Sequence, residues 1–177
     1  PGLIAQMTGF ITKQRYQYAT VYVDQYTLYG YVFLQHTSTA EETLEGKTLF
    51  RRLAATQGVT VKAYHADNGI FKAHAWVAAC KAQGQHLTFA AVGAHHANGK
   101  AEHRIRELQE MARTMLLHTN RRWPQAISSH LWPYALRHAN LCINVTPNLQ
   151  HRLRKSPEQM FANSPVNTNR KYWKPFG

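Results

Sequence analysis

The sequence predicts an α/β layer fold built around a mixed sheet. Three observations carry that expectation. Runs of strand formers alternate with stretches of helical periodicity, turn-forming Gly, Asn and Asp residues separate them, and no repeat or low-complexity tract interrupts the series. A chain of 177 residues with 44% hydrophobic content can bury a core as one domain.

Residues 1–17 are turn-rich, with Gly2, Gly9 and the basic Lys13-Gln14-Arg15 around a weak strand at Leu3 to Gln6, and they read as a connecting flap. Tyr18 to Val23 and Tyr29 to Leu34 are β-branched and aromatic runs on either side of Asp24-Gln25-Tyr26-Thr27, the pattern of a hairpin. Ser38-Thr39-Ala40-Glu41 has the S-x-x-E spacing of a capping box. It opens a helix that carries Leu44, Lys47, Phe50, Leu53 and Ala54 until Gly58 stops it. The run Val59 to Tyr64 is a strand that leads to Asp67. Phe71 to Gln83 is a second helix closed by Gly84, His86 to Val92 is another strand, and Gly93 to Gly99 is a polar loop.

The clearest helix starts at Asn98. Ala101, Ile105, Leu108, Ala112, Met115 and Leu116 fall on one side of it, whereas Glu102, Arg106, Gln109 and Arg113 form a separate polar stripe. Arg122-Trp123-Pro124 breaks the chain, and Gln125 to Val145 is a further helix with a kink at Pro133. After Thr146-Pro147 the periodicity fades, so the chain divides into a core at 1–145 and an extension or linker at 146–177.

Charge narrows the function. The 21 Lys and Arg against 9 Asp and Glu give a net charge of +12, the electrostatic footprint of a phosphate-backbone binder. Cys80 and Cys142 form no CxxC and no disulfide framework, which suits a reducing compartment. Although there are 11 histidines, His95 and His96 do not combine with the cysteines in zinc-finger spacing. No apolar run reaches the length of a membrane span, and Pro1-Gly2-Leu3-Ile4 is not a signal peptide. The absence of an initiator Met suggests a piece of a longer polypeptide.

Asp67 follows a strand and Glu102 opens a helix, with 34 residues between them. Mg²⁺ takes oxygen ligands, keeps several waters and is held by one or two carboxylates plus substrate phosphates. Two converging carboxylates on a basic chain therefore point to phosphoryl transfer on nucleic acid. Asp67-Asn68-Gly69 is also a good turn sequence, and Glu102 with Arg106 at i,i+4 is also an ordinary solvated ion pair.

The stretches Tyr64-His65-Ala66-Asp67-Asn68-Gly69 and Ala94-His95-His96-Ala97-Asn98-Gly99-Lys100-Ala101-Glu102-His103-Arg104-Ile105-Arg106 resemble the second- and third-carboxylate motifs of the integrase catalytic core of copia-type retrotransposons. This is a branch of the retroviral integrase family with a ribonuclease H-like fold. Leu131 to Arg137 and Lys155-Ser156-Pro157 sit where similar stretches do, so the resemblance runs nearly end to end.

It implies a ribonuclease H-like mixed sheet flanked by helices, with the first strand truncated. It also implies metal-dependent DNA 3′-end processing and strand transfer, with Asp67 and Glu102 as two of three acidic ligands for Mg²⁺ or Mn²⁺. Asn98, Lys100, Arg104, Arg106 and Arg113 would contact the DNA of the element ends and the target. The first acid would lie upstream of Pro1, and Asp24 is a weaker, metal-proximal candidate. The resemblance further implies a homo-oligomer, encoded within a retrotransposon polyprotein and acting inside the cell, in the nucleus or a cytoplasmic virus-like particle. Ala97 stands where the family pattern has Gln, and the loop Phe89 to Ala94 lacks its usual Cys-Gly and Asn. A catalytically silent nucleic-acid-binding module and a ribonuclease H-like nuclease are the alternatives.

Overall fold

The structure is a computed structural model that describes residues 2–67, 69–90, 99–125, 127–149, 153–164 and 176. Five strands form one sheet in the order β3-β2-β1-β4-β5. They are β1 (Gly2–Thr8), β2 (Tyr18–Asp24), β3 (Gly30–Gln35), β4 (Ala63–Ala66) and β5 (His86–Phe89). β1, β2 and β3 pair antiparallel, whereas β4 and β5 join as parallel strands, so the sheet is mixed as expected.

The first segment differs most from expectation. Residues 2–8 are not a flap but the central strand, bonded on one side to β2 and on the other to β4. The reason lies in its alternation: Leu3 and Ala5 face one core and Ile4 the other, so the strand is buried on both faces. In a short run with Gly at each end, this two-sided burial leaves little periodic signal.

The helices are α1 (Ala40–Thr56), α2 (His74–Ala82), α3 (Gly99–Arg122), α4 (Trp132–Val145) and α5 (Pro157–Phe161). The cap of α1 lies one residue later than the sequence suggests. Thr39 accepts from the backbone N–H of Glu42, and the Glu42 carboxylate accepts from the N–H groups of His36 and Thr37. These bonds, with that from the Thr37 hydroxyl, outweigh the desolvation of Glu42 and lower its pKa. Pro133 does not kink a helix but stands in the first turn of α4, where a missing N–H costs nothing. β4 is four residues long and begins at Ala63 rather than Val59.

α3 and α4 cover one face of the sheet over Leu3, Ala5, Val21, Val23 and Val32. The other face holds α1 and α2 through Phe50, Ala54, Trp76 and Cys80. The segment after residue 145 also enters this second core. Ser156 caps α5 with a capping box, and Phe161 is buried and stacks on Tyr29 at 4.3 Å. Helix α5 is thus part of the folded unit, because one buried aromatic outweighs the absence of periodicity around it.

Gly46 sets how closely α1 approaches the sheet. A Cβ there would lie 2.5 Å from Phe33 Cδ1, 2.8 Å from Phe33 Cγ and 3.1 Å from the Tyr22 hydroxyl. Alanine favours a helix interior by about 1 kcal/mol over glycine. Overpacking costs about 1–3 kcal/mol. Gly46→Ala is therefore expected to lower the urea midpoint, and a raised midpoint would show that α1 can retreat freely.

Candidate active site

Asp67 follows the last residue of β4. Tyr64 and Ala66 point into the α1–α2 core, so strand alternation turns His65 and Asp67 to the face that α3 covers. Glu102 stands in the first turn of α3, next to Ala101, which is buried in the core on that same face. The two carboxylates therefore lie on one side of the sheet. Both are exposed, and among the described residues neither is in an ion pair, including the i,i+4 partner Arg106 available to Glu102. Among the described residues Asp67 Oδ1 accepts a single long bond, from the Gly69 N–H at 3.3 Å, as a turn residue does.

The third position is filled differently. Ile4 is level with Ala66 in the parallel β1–β4 pair, so one residue further on Ala5 stands beside Asp67. Strand β1 runs Gly-Leu-Ile-Ala-Gln-Met-Thr and carries no acid. Among the described residues, no three His, Cys, Asp or Glu side chains are gathered as a metal cluster. Two unpaired carboxylates still fit a hard cation that takes its remaining ligands from water and phosphate.

Asp24 does not belong to this site. It pairs with Gly2, which in turn pairs with Tyr64, three residues before Asp67. At strand rise and spacing the two acids are roughly 14 Å apart. Its Oδ2 moreover accepts the Thr27 N–H and Thr27 hydroxyl, each at 2.8 Å, and the Tyr26 N–H at 3.2 Å. Asp24 is a turn cap.

The expected DNA contacts divide. Arg106 and Arg113 are exposed on the Glu102 stripe of α3, free of ion pairs among the described residues. Lys100 is exposed and donates to the Gln25 carbonyl at 3.2 Å. Arg104 is turned inward at 4% exposure. Its Nη2 donates to the Leu28 carbonyl, and its Nε lies 3.6 Å from Glu107. Burial lowers its pKa, against the opposing charge of Glu107. Asn98 lies outside the described residues, as do His95 and His96.

Two residues at this end of the fold escaped the sequence reading. Asn140 and Asn144 of α4 both donate to the Gly30 carbonyl, at 2.9 and 2.7 Å, and Asn144 Oδ1 accepts the Gly30 N–H at 2.9 Å. Two asparagines at i,i+4, in line with the apolar Leu136 and Ala139 of α4, were the available signal.

No family model and no curated protein matches this sequence. Solved structures do. A chain from a simian T-cell lymphotropic virus intasome in complex with the PP2A regulatory subunit B56 gamma is 18% identical, with a TM-score of 0.66. The match covers 94% of this chain but 55% of that one, so the present chain spans about half its length. The HTLV-2 integrase catalytic core domain in complex with magnesium matches in its trimeric form at 16% identity and TM-score 0.61, covering 90% of this chain and 95% of that one. Its dimeric form matches at 17% and 0.62, covering 90% and 94%. This chain has the fold of the retroviral integrase catalytic cores, the ribonuclease H-like mixed sheet with flanking helices.

Proposed function

We propose that this chain is the core of a DNA integrase of the polynucleotidyl transferase kind, encoded by a retrotransposon and working on DNA ends. The observation that carries the reading is the pair of exposed carboxylates, Asp67 and Glu102, in no ion pair among the described residues and on one side of this fold in a chain of charge +12. Asp67 and Glu102 would hold Mg²⁺ or Mn²⁺, which when bound supplies Lewis acidity at the attacked phosphate. The exposed guanidinium groups of Arg106 and Arg113 would fix the duplex by its phosphates beside Glu102, and Lys100 would add a third cation from the same helix. The HTLV-2 cores are described as dimeric and trimeric and with magnesium, which supports a homo-oligomer and this cation here. Work on DNA ends would put the protein inside the cell, in the nucleus or a cytoplasmic particle.

A second reading has its own support. Because Ala5 stands where β1 passes Asp67, and no three-donor cluster exists among the described residues, a catalytically silent DNA-binding module fits the same fold.

Labelled duplex incubated with Mn²⁺ or Mg²⁺ separates the two. Trimming or joining of ends that Asp67→Asn and Glu102→Gln abolish establishes the transferase. DNA binding with no metal-dependent chemistry leaves the silent module. Both readings require affinity to fall steeply with salt, and each of Arg106→Ala and Arg113→Ala should reduce the log–log slope by about 1. A flat salt dependence removes DNA as the partner.

A further inference from the structure

The turn between β2 and β3 is held by α3 and α4 through bonds to its own backbone. Lys100 donates to the Gln25 carbonyl, Arg104 to that of Leu28, and Asn140 and Asn144 both to that of Gly30. The Gly30 N–H is taken by Asn144 Oδ1. Three carbonyls within six residues, those of Gln25, Leu28 and Gly30, are thus read by four side chains that lie far away in sequence.

The turn is shaped for this. Leu28 adopts φ of +60°, a left-handed conformation that a leucine rarely holds without outside contacts. The carbonyl it presents is the one Arg104 takes. Gly30 leaves no room for a side chain, since a Cβ there would sit 2.5 Å from Asn140 Oδ1 and 3.6 Å from Arg104 Nη1. Arg104 has its stem and head buried, so its charge is removed from water chiefly for this contact and for Glu107 at 3.6 Å. A guanidinium so enclosed is not disposed to meet a phosphate arriving from solvent.

We infer that Arg104 is a positioning residue: by bolting the first turns of α3 to the β2–β3 turn, it fixes where Glu102, two residues earlier on the same helix, stands over the sheet. The inference rests on the proposed cation role of Glu102 only for its consequence, since the bolt itself is a matter of geometry. Arg104 and Lys100 grip the turn four residues apart, on the flank of α3 opposite the Arg106 and Arg113 stripe. One turn of helix is thereby held from one side while Glu102 projects from the other.

Three variants test this: Arg104→Met, which keeps the apolar stem, Arg104→Lys, which restores one donor, and Arg106→Met as the exposed comparison. Hydrogen exchange reads the bolt directly. In Arg104→Met the amides of 25–30 and 99–104 are expected to exchange faster together while β1, β2 and α2 keep their protection, and Arg104→Lys is expected to recover part of it. Mn²⁺ affinity, read by electron paramagnetic resonance of the free ion, should fall severalfold in Arg104→Met, because Glu102 is no longer held in place. Affinity for a duplex in chelator should stay unchanged in Arg104→Met and fall in Arg106→Met.

Unchanged exchange at 99–104 in a folded Arg104→Met overturns the inference. So does a loss of duplex affinity equal to that of Arg106→Met, which would make Arg104 a phosphate contact. If the wild-type chain shows no Mn²⁺ binding that depends on Glu102, the proposed cation role falls instead, and the exchange result alone decides the bolt.

Discussion

Replacing Trp76 by alanine is expected to remove about 3–5 kcal/mol of stability, the cost of emptying a large buried aromatic site. Trp76 has no exposed surface and stands edge-on to Phe71 at 5.2 Å and to Tyr64 at 6.0 Å. Its ring also faces the buried ammonium of Lys47 at 5.9 Å, which has one side-chain acceptor, Gln83 Oε1 at 2.5 Å, and the Tyr64 ring at 5.5 Å. Truncation therefore leaves a cavity and also uncovers one side of a buried cation. Against a total of about 5–15 kcal/mol this is a fifth of the stability or more. A melting point about 10 °C lower is expected, measured by calorimetry or circular dichroism.

Trp76→Phe sharpens the result. Among the described residues the indole Nε1 is buried without a hydrogen-bond partner, so phenylalanine loses volume but also removes an unsatisfied donor. It should cost well under half of the alanine variant. A phenylalanine as damaging as alanine would show that the indole N–H is bonded and that the polar part of the site matters more than its volume.

Much of the molecule was legible in the amino-acid order, and the gaps have physical causes. β2, β3 and α3 announce themselves, the strands by dense runs of β-branched and aromatic residues and α3 by one buried face on which Ala101, Leu108 and Ala112 recur at helical spacing. β1 did not, because its strand formers are few: Gly2, Ala5, Gln6 and the neighbouring Gly9 dilute Leu3 and Ile4, and burial on both faces adds no alternation. α5 did not, because it is five residues long and only Pro157 and Phe161 of it are buried, too few to show a period. For the candidate site, Asp67 and Glu102 stand out in the sequence by motif. What no motif could tell is the direction of Arg104, since an arginine at the edge of a helix's apolar face is equally consistent with solvent and core. Asp24 misled for a related reason: a carboxylate at a strand end serves a turn as readily as an ion, and only the register places it level with Tyr64 rather than Asp67.

The chain is also expected to unfold cooperatively in alkali, between about pH 11 and 12. Tyr22 and Tyr64 are fully buried, and burial raises the pKa of each phenol well above the ordinary value of 10.0, with Tyr22 further disfavoured as an anion by Tyr64, Tyr31 and Cys80. Burial also raises Tyr29 to about 12. Above pH 10 the unfolded chain releases protons that the native chain keeps. Stability therefore falls with rising pH, by about 1.4 kcal/mol per pH unit for each such phenol. Tyr22 and Tyr64 alone give about 2.7 kcal/mol per unit, and Tyr29, which is only partly buried, adds less.

Lys47 works the other way. Burial lowers its pKa below 10.5, so near that value the unfolded chain binds the extra proton and stability gains with pH. One lysine opposes at least two phenols, and its window closes at 10.5 while theirs stays open. Urea midpoints measured at about pH 9, 10 and 11 should therefore decline with increasing slope, and tyrosinate absorbance should rise together with the loss of helical signal. Tyr22→Phe keeps the ring but not the titration. It should cost about 1 kcal/mol at neutral pH, from the lost bond to the Thr43 carbonyl at 3.2 Å, and lessen the alkaline slope by about 1.4 kcal/mol per unit. Midpoints that stay level from pH 10 to 11 would show that the two phenols ionise within the fold, and that water reaches the core beneath α1.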